Sequence, residues 1–281
     1  MNHETAYAKI NLALHVRRRR EDGYHEIETL FAFVDAGDEL VVREAEVDCF
    51  TIGGEFAAGL TIGPDNLVLG ALAKMRRMVS PGSPPVPSLA IHLQKNLPVA
   101  AGIGGGSADA AAMIRLLDRE YVRNGDNREL VLSTTNLGAD VGACIISRTR
   151  IGRGLGWELH EAQADDLVGT PVLLVNPRIP LATGPVFAAW DGTDHGALPD
   201  GPVSVIAQQG RNDLEAPAIT LVPEIGMILA ELRATGAEIA RMSGSGATCF
   251  ATYRSHDVMR EAAGSLASSH PGWWQMQGRL R

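Results

Sequence analysis

NLPVAAGIGGGSADAAAMIRLLD, residues 96–118, is the stretch on which the reading of the chain turns. Gly102, Gly104, Gly105 and Gly106, interrupted only by Ile103, lead from a strand region into a helix expected over 107–119. That helix is alanine-rich, with Ser107 and Asp109 at its start and Arg115, Asp118 and Arg119 on its polar side. Clustered glycines let backbone N–H groups turn toward an anion. The first turn of the following helix adds unsatisfied donors and the positive end of its dipole. This is the physical recipe for a phosphate cradle. Two familiar versions of it fail. A Walker A loop needs Gly-Lys-Ser/Thr, and here Gly106 is followed by Ser107-Ala108. The dinucleotide fingerprint G-x-G-x-x-G, begun at Gly102, puts Ser107 where its third glycine belongs. The competing explanation is a glycine-rich turn selected only for helix packing. The density of glycine, followed by serine and a well-formed helix, favours phosphate.

Upstream, residues 5–16 and about 26–34 form a hairpin pattern around the Asp-Gly turn of DGY at 22–24. A short strand over 38–43 is expected after a break at Ala36-Gly37, and a further hairpin over 46–62 around Gly53-Gly54. Leu67, Leu69, Ala71, Leu72, Met75 and Met78 make an apolar stripe that predicts a helix over 66–79. SPGSPPVPS at 80–88 is a loop, and 89–95 alternates as a strand. Downstream, a helix is expected over 127–137, ending at Gly138, and the glycines and Trp157 of 151–160 suggest a domain crossing. PVLLVNP from 171 is a buried-type strand. A helix at 185–190, a loop at 191–202, helices within 211–235, strands at 237–241 and 248–253 and a helix over 256–268 follow. Strand, helix and strand again in both halves predict an α+β fold of two domains, residues 1–155 and 156–281, rather than a doubly wound sheet.

A chain of 281 residues suits two modest domains, and 45% apolar with 21% charged residues is ordinary globular composition. Apolar stretches are broken well short of a membrane span. The N-terminal stretch carries Glu4 and Lys9 and has no cleavage pattern, so the cytoplasm is the expected compartment. Cys49, Cys144 and Cys249 are far apart, which argues against disulfides and zinc and for three small buried thiols. A formal charge of −8 disfavours nucleic acid, which needs a broad basic face. The run Arg17–Arg20, followed by Glu21 and Asp22, is expected to be a solvated strand end ahead of the alternative, a phosphate-binding patch.

LPVAAGIGGGSADAA resembles the phosphate loop of the GHMP small-molecule kinases. AYAKINLAL at 6–14 resembles that family's N-terminal motif, and RMSGSGATCFA at 241–251 its C-terminal glycine motif. Within the family, KINL, DGYHEIETLF (22–31), LGAD (137–140) and RNDLE (211–215) are similar to members that phosphorylate a cytidine-diphosphate-linked methylerythritol. The likeness spans nearly the whole chain in collinear blocks.

The resemblance implies a two-domain kinase with its active site between the domains, ATP and Mg²⁺ as its cofactors, and a small-molecule acceptor. It implies neither a nucleic-acid nor a membrane partner, and a monomer or weak homodimer. Asp140 falls at the catalytic base and Lys9 at the lysine beside it. From the residues alone Asp140 is equally a helix N-cap, while Lys9 is an odd charge between Ala8, Ile10 and Leu12. Gly102, Gly104, Gly105, Gly106 and Ser107 correspond to the loop around the ATP phosphates, continued by Asp109 and Ala110. Ser107 offers a hydroxyl to phosphate or magnesium and is the sole metal ligand that the resemblance suggests. Lys95 either reaches the nucleotide or is a surface strand lysine. Asn66 matches a position near the adenine, or caps its helix. Asn11 falls beside the acceptor's hydroxyls. Tyr24 and His25 match residues that hold the cytidine group, Phe187 the aromatic on the other side of the base, and Phe31 lines the same pocket. GSGAT at 244–248 closes the site with further backbone donors. Two positions depart from the pattern: Gly142 stands where many relatives have proline, and GRGLGWEL at 152–159 differs from the usual acid-bearing form. Competing functions are another GHMP enzyme of homoserine or mevalonate type, and a non-catalytic ligand sensor on the same scaffold.

Overall fold

Ala8–Val16 is buried on both faces, an almost unbroken run inside the first strand, β1 (Asn2–Arg19), with Lys9, Asn11 and His15 as its polar members. A strand covered on both sides is expected to be continuously apolar, so these three need partners. The computed structural model describes residues 2–122, 126–134, 136–164 and 166–281. β1 turns through Asp22-Gly23, where the Tyr24 N–H donates to the Asp22 carboxylate, into β2 (His25–Glu44), with which it pairs. At the solvated end of β1, Arg18 pairs with Glu26 and Arg20 with Asp22.

The chain forms two compact units. The first comprises Met1–Ala8, Gly37–Val99 and Gly104–Ser147, and the second Lys9–Ala36, Ala100–Ile103 and Arg148–Arg281. In the first unit, β3 (Cys49–Gly53) pairs in parallel with β4 (Leu89–Gln94), and β4 pairs antiparallel with Glu39–Glu44 of β2. Its described residues also form α1 (Leu67–Met78), α2 (Gly105–Leu117) with a π-helical turn over Asp118–Val122 after it, α3 (Asn127–Ser133) and α4 (Val141–Ile146). α2 packs against both α1 and α4. Every residue of α2 from Ala108 to Leu117 is buried except Arg115, the pattern of a central helix. Arg115 itself is half-buried: its guanidinium donates to Glu4, to the carbonyls of Thr5 and Cys144 and to Ser147. Of the expected polar side, Arg115 is therefore part of an internal network, while Arg119 is exposed and pairs with Glu4 and Glu120.

In the second unit, Thr29–Phe31 of β2 pairs with β5 (Arg150–Arg153), which pairs with β6 (Glu158–Glu161). A separate antiparallel sheet has the order β10-β7-β9-β8, from β7 (Pro171–Asn176), β8 (Ile239–Met242), β9 (Cys249–Thr252) and β10 (Trp274–Arg279). The helices are α5 (Thr183–Ala188), α6 (Val203–Gln209), α7 (Glu215–Leu221), α8 (Glu224–Ala234) and α9 (His256–Ser269). α8 and α9 pack on this sheet, and Leu173, Val175, Ile228, Leu232, Met259 and Leu266 belong to the core they share.

The α+β expectation holds, with several corrections. Residues 54–62 form no return strand; β3 pairs with β4 instead. The stretch 151–160 belongs to the β5–β6 hairpin of the second unit. α3 stops at Ser133, and Thr135 of the helix expected over 127–137 lies outside the described residues. α6 and β10 went unforeseen. Cys144 and Cys249 are buried, but Cys49 is exposed at the start of β3. Among the described residues no helix is long and apolar enough to cross a membrane.

β2 runs through Ala36-Gly37 without a break. Gly37 is there for space: a Cβ would stand 2.0 Å from the Ala6 carbonyl oxygen. Backbone cannot yield as a flexible side chain does. Gly37→Ala is expected to destabilise the protein by about 1–3 kcal/mol, read as a lower urea midpoint with an unchanged slope.

Candidate active site

Of the residues singled out from sequence, the first unit holds Asn66, Lys95, Gly104, Gly105, Gly106, Ser107, Asp109 and Asp140. Gly104 is the N-cap of α2 and takes a left-handed conformation, φ +65°. Its carbonyl accepts the Ala108 N–H at 2.8 Å, and the amides before Ala108 have no carbonyl one turn back. Gly106 is exposed and Ser107 half-buried. A Cβ placed on Gly138 would lie 3.7 Å from the Ser107 hydroxyl oxygen, so the head of α2 adjoins the turn that carries Asp140. Asp140 occupies the N-cap position of α4, yet its side chain makes no capping hydrogen bond. Asn66 does cap: its Oδ1 accepts the Val68 N–H at 3.0 Å, and its Nδ2 donates to the Thr61 carbonyl.

Lys95 is no surface lysine. It is 2% exposed, and its ammonium donates to Asp38 and, at 2.8 Å, to Asp109 Oδ2. Burial disfavours the ammonium, but Asp109 and Asp38 more than offset this and raise the Lys95 pKa. Asp109 is lifted by burial, against the pull of Lys95 and with the help of Asp38, to about 8. Asp38 was not singled out from sequence. One of the two aspartates in DAGDELVV gives no signal by its spacing.

The second unit holds Lys9, Asn11, Tyr24, His25, Phe31, Gly102 and Phe187. Lys9 and Asn11 are two apart on β1 and share a face. The Lys9 ammonium donates to Asn11 Oδ1 at 2.9 Å and lies 5.3 Å from the centroid of the buried Phe31 ring. Asn11 Nδ2 donates to the Thr29 hydroxyl at 2.7 Å, and that hydroxyl donates to the Ala13 carbonyl. The backbone of Ile103 accepts the Lys9 N–H at 3.0 Å. Gly102 takes φ +75°, and a Cβ there would stand 2.3 Å from the Ser243 carbonyl. The Ser243 hydroxyl accepts the Asn11 N–H and donates to the Gly102 carbonyl. Asn212 Nδ2 donates to the carbonyls of Met242 and Gly244, at 2.8 Å each, and so holds the 243–248 turn. Thr29, Asn212 and Ser243 lie within the stretches that resemble the family. Nothing in spacing alone marks them.

His25 is buried, with its ring centroid 4.9 Å from that of Phe187 and 5.6 Å from that of Trp190. Burial first, then Arg19, lowers its pKa. The His25 and Phe187 rings touch and leave no gap for a third ring between them. Tyr24 is 64% exposed.

Residues 66–156 match the family description GHMP kinases N terminal domain, and residues 204–271 match GHMP kinases C terminal. A protein of Novosphingobium aromaticivorans named 4-diphosphocytidyl-2-C-methyl-D-erythritol kinase is 55% identical over 278 residues, 99% of this chain and 92% of its own. The chain belongs to the GHMP kinases. A protein of the same name from Sphingopyxis alaskensis is 54% identical over 280 residues, 99% of this chain and 98% of its own. The crystal structure of a 4-(cytidine 5'-diphospho)-2C-methyl-D-erythritol kinase matches with a TM-score of 0.80 at 33% identity, covering 99% of each chain. A homoserine kinase from Cytophaga hutchinsonii, at a TM-score of 0.69 and 16% identity over 98% of this chain and 95% of its own, shares the GHMP fold.

The raised Asp109 has a thermodynamic signature. The folded GHMP kinase keeps this proton where an unfolded carboxyl, titrating near its ordinary value of about 4, has lost it. Its contribution to stability is therefore complete below pH ~4 and lost as pH rises to about 8. His15 and His25, both lowered, act in the opposite sense below about pH 6.5. Asp109→Asn isolates the carboxyl: relative to wild type it should gain up to about 1.4 kcal/mol per pH unit between pH 6 and 8, measured by urea unfolding across that range.

Proposed function

We propose that this small-molecule kinase moves the γ-phosphoryl group of ATP onto the 2-hydroxyl of 4-diphosphocytidyl-2-C-methyl-D-erythritol, in the non-mevalonate route to isoprenoid precursors. Identities of 55% and 54% over nearly the whole chain, with proteins named as kinases of that compound, support the acceptor. One observation carries the chemistry. The open first turn of α2 adjoins the turn that carries Asp140 at the start of α4.

Phosphoryl transfer asks a protein for position and charge rather than covalent chemistry. The amides of Gly104, Gly105, Gly106 and Ser107, with Gly102 before them, are assigned to the ATP phosphates, where the α2 dipole favours negative charge. Asp140 orients the acceptor hydroxyl and takes its proton. Lys9, its ammonium aimed by Asn11, stabilises charge on the attacking oxygen or the transferred group. Among the described residues no group of three or more His, Cys, Asp or Glu is placed to hold a metal. The Ser107 hydroxyl is the ligand the chain would offer to Mg²⁺, which is otherwise carried by the phosphates and neutralises their charge when bound.

Tyr24, His25 and Phe187, with Phe31 beside them, are assigned to the cytidine group of the acceptor, and the ring contact of His25 with Phe187 supports those two acting together. Stacking of a base on an aromatic ring contributes about 1–3 kcal/mol. The reading also divides the chain into an ATP-binding part, 1–155, and a second part, 156–281. The two family matches, over 66–156 and 204–271, support a division of the sequence between them, whereas the compact units interleave along the chain.

Coupled ADP production with the cytidine-diphosphate-linked substrate should report turnover. Asp140→Asn should lower kcat by about 10²–10⁴-fold while ATP affinity, read by titration calorimetry, stays close to wild type. Retained turnover in that variant would remove Asp140 from the mechanism.

A further inference from the structure

Asp38 is fully buried on β2 and uses both carboxylate oxygens. Oδ1 accepts the backbone N–H groups of Asn96 and Leu97, at 2.6 and 2.8 Å, where the chain leaves β4 toward the glycine-rich turn. Oδ2 accepts the Lys95 ammonium, which donates also to Asp109, one turn into α2. The upstream and downstream ends of the turn are therefore tied to a single carboxylate, one directly and one through a lysine. The cluster lies immediately beneath the first residue of α2. A Cβ on Gly105 would stand 3.4 Å from Lys95 Nζ and 3.8 Å from Asp38 Oδ2. Asn96 adds a third tie, its Nδ2 donating to the Gly37 carbonyl at 3.0 Å.

Stability alone does not explain such a cluster. Buried ion pairs cost desolvation, and apolar residues of similar volume often serve a core equally well. The Oδ1 atom of Asp109 is buried without a hydrogen-bond partner, a further cost that a purely structural cluster would shed. What an apolar replacement cannot do is set the distance and direction between two backbone segments. Charge-assisted hydrogen bonds do that well.

We infer that Asp38 is a positioning residue for ATP: acting through Asn96, Leu97, Lys95 and Asp109, it fixes both ends of the glycine-rich turn so that the first amides of α2 stay aimed at the phosphates. The inference rests on the phosphate-loop reading of that turn and adds to it a residue that touches neither the nucleotide nor the acceptor. The proton that Asp109 retains near neutrality leaves one carboxylate against one ammonium. An anion above Gly105 then faces no net negative charge from below.

The test uses the full chain. Asp38→Asn keeps the size and one acceptor oxygen but turns a donor toward the Lys95 ammonium. It should raise the KM for ATP by about 10–100-fold with little change in the KM for the cytidine-linked acceptor. Should that variant fold poorly, Asp109→Ala removes the second partner of Lys95 without touching the Asn96 and Leu97 amides, and should shift the same constant in the same direction. ATP-induced stabilisation in thermal unfolding reads the comparison without turnover, so a catalytically silent wild type that still binds ATP would count against the kinase reading alone. A lowered melting temperature with an unaltered ATP constant in both variants, or equal rises in both KM values, would overturn the inference.

Discussion

A helix buried along its length can present only its ends, and α2 presents its first turn. Ala108–Leu117 is enclosed apart from the tethered Arg115, so packing on α1 and α4 decides where the helix points. The amides of Gly104–Ser107 are useful because that direction cannot wander. Alanine suits such a helix doubly: it forms helix readily, and its small side chain lets neighbouring helices approach closely. The glycines before it free the backbone from side-chain bulk at the point where an anion must come near.

The second unit meets a comparable demand with different means. There the polar side chains of an otherwise apolar strand are linked in series: Lys9 to Asn11, Asn11 to Thr29, Thr29 to the Ala13 carbonyl. A buried ammonium without such company would be expensive. In series, each group limits the rotamers of the next. Ser243 and Asn212 extend the same logic to the 243–248 turn, since each spends its hydrogen-bonding capacity on backbone rather than on other side chains.

Much of this was legible before any coordinates. The glycine run, the apolar stripe of α1, the Asp-Gly turn and the charge stranded inside AYAKINLAL each carry a local physical signal, and each is where the reading put it. What escaped has no local signature. Asp38 matters because Lys95 and Asp109 come to its cluster from 57 and 71 positions away. Lys95 looked as much like surface as site because alternation in LAIHLQK says which residues share a face, and not what covers that face. The glycines at 53 and 54 suggested a hairpin, whereas parallel pairing of β3 with β4 depends on a partner beyond a helix and a proline-rich loop. Trp190 became relevant only through its edge-on contact with His25.

The tight passage at Gly37 acts as an index mark between two long strands. Were β1 to slide by one place along β2, the Ala6 carbonyl would confront Ala36 or Asp38, and a methyl or carboxylate would have to fit where 2.0 Å is available. A shift of one place also turns every side chain of a strand to its opposite face. Asn11 would then lose Thr29, and Lys9 would be carried off with it. The absence of one methyl group thus keeps the polar residues of β1 in step with those that receive them.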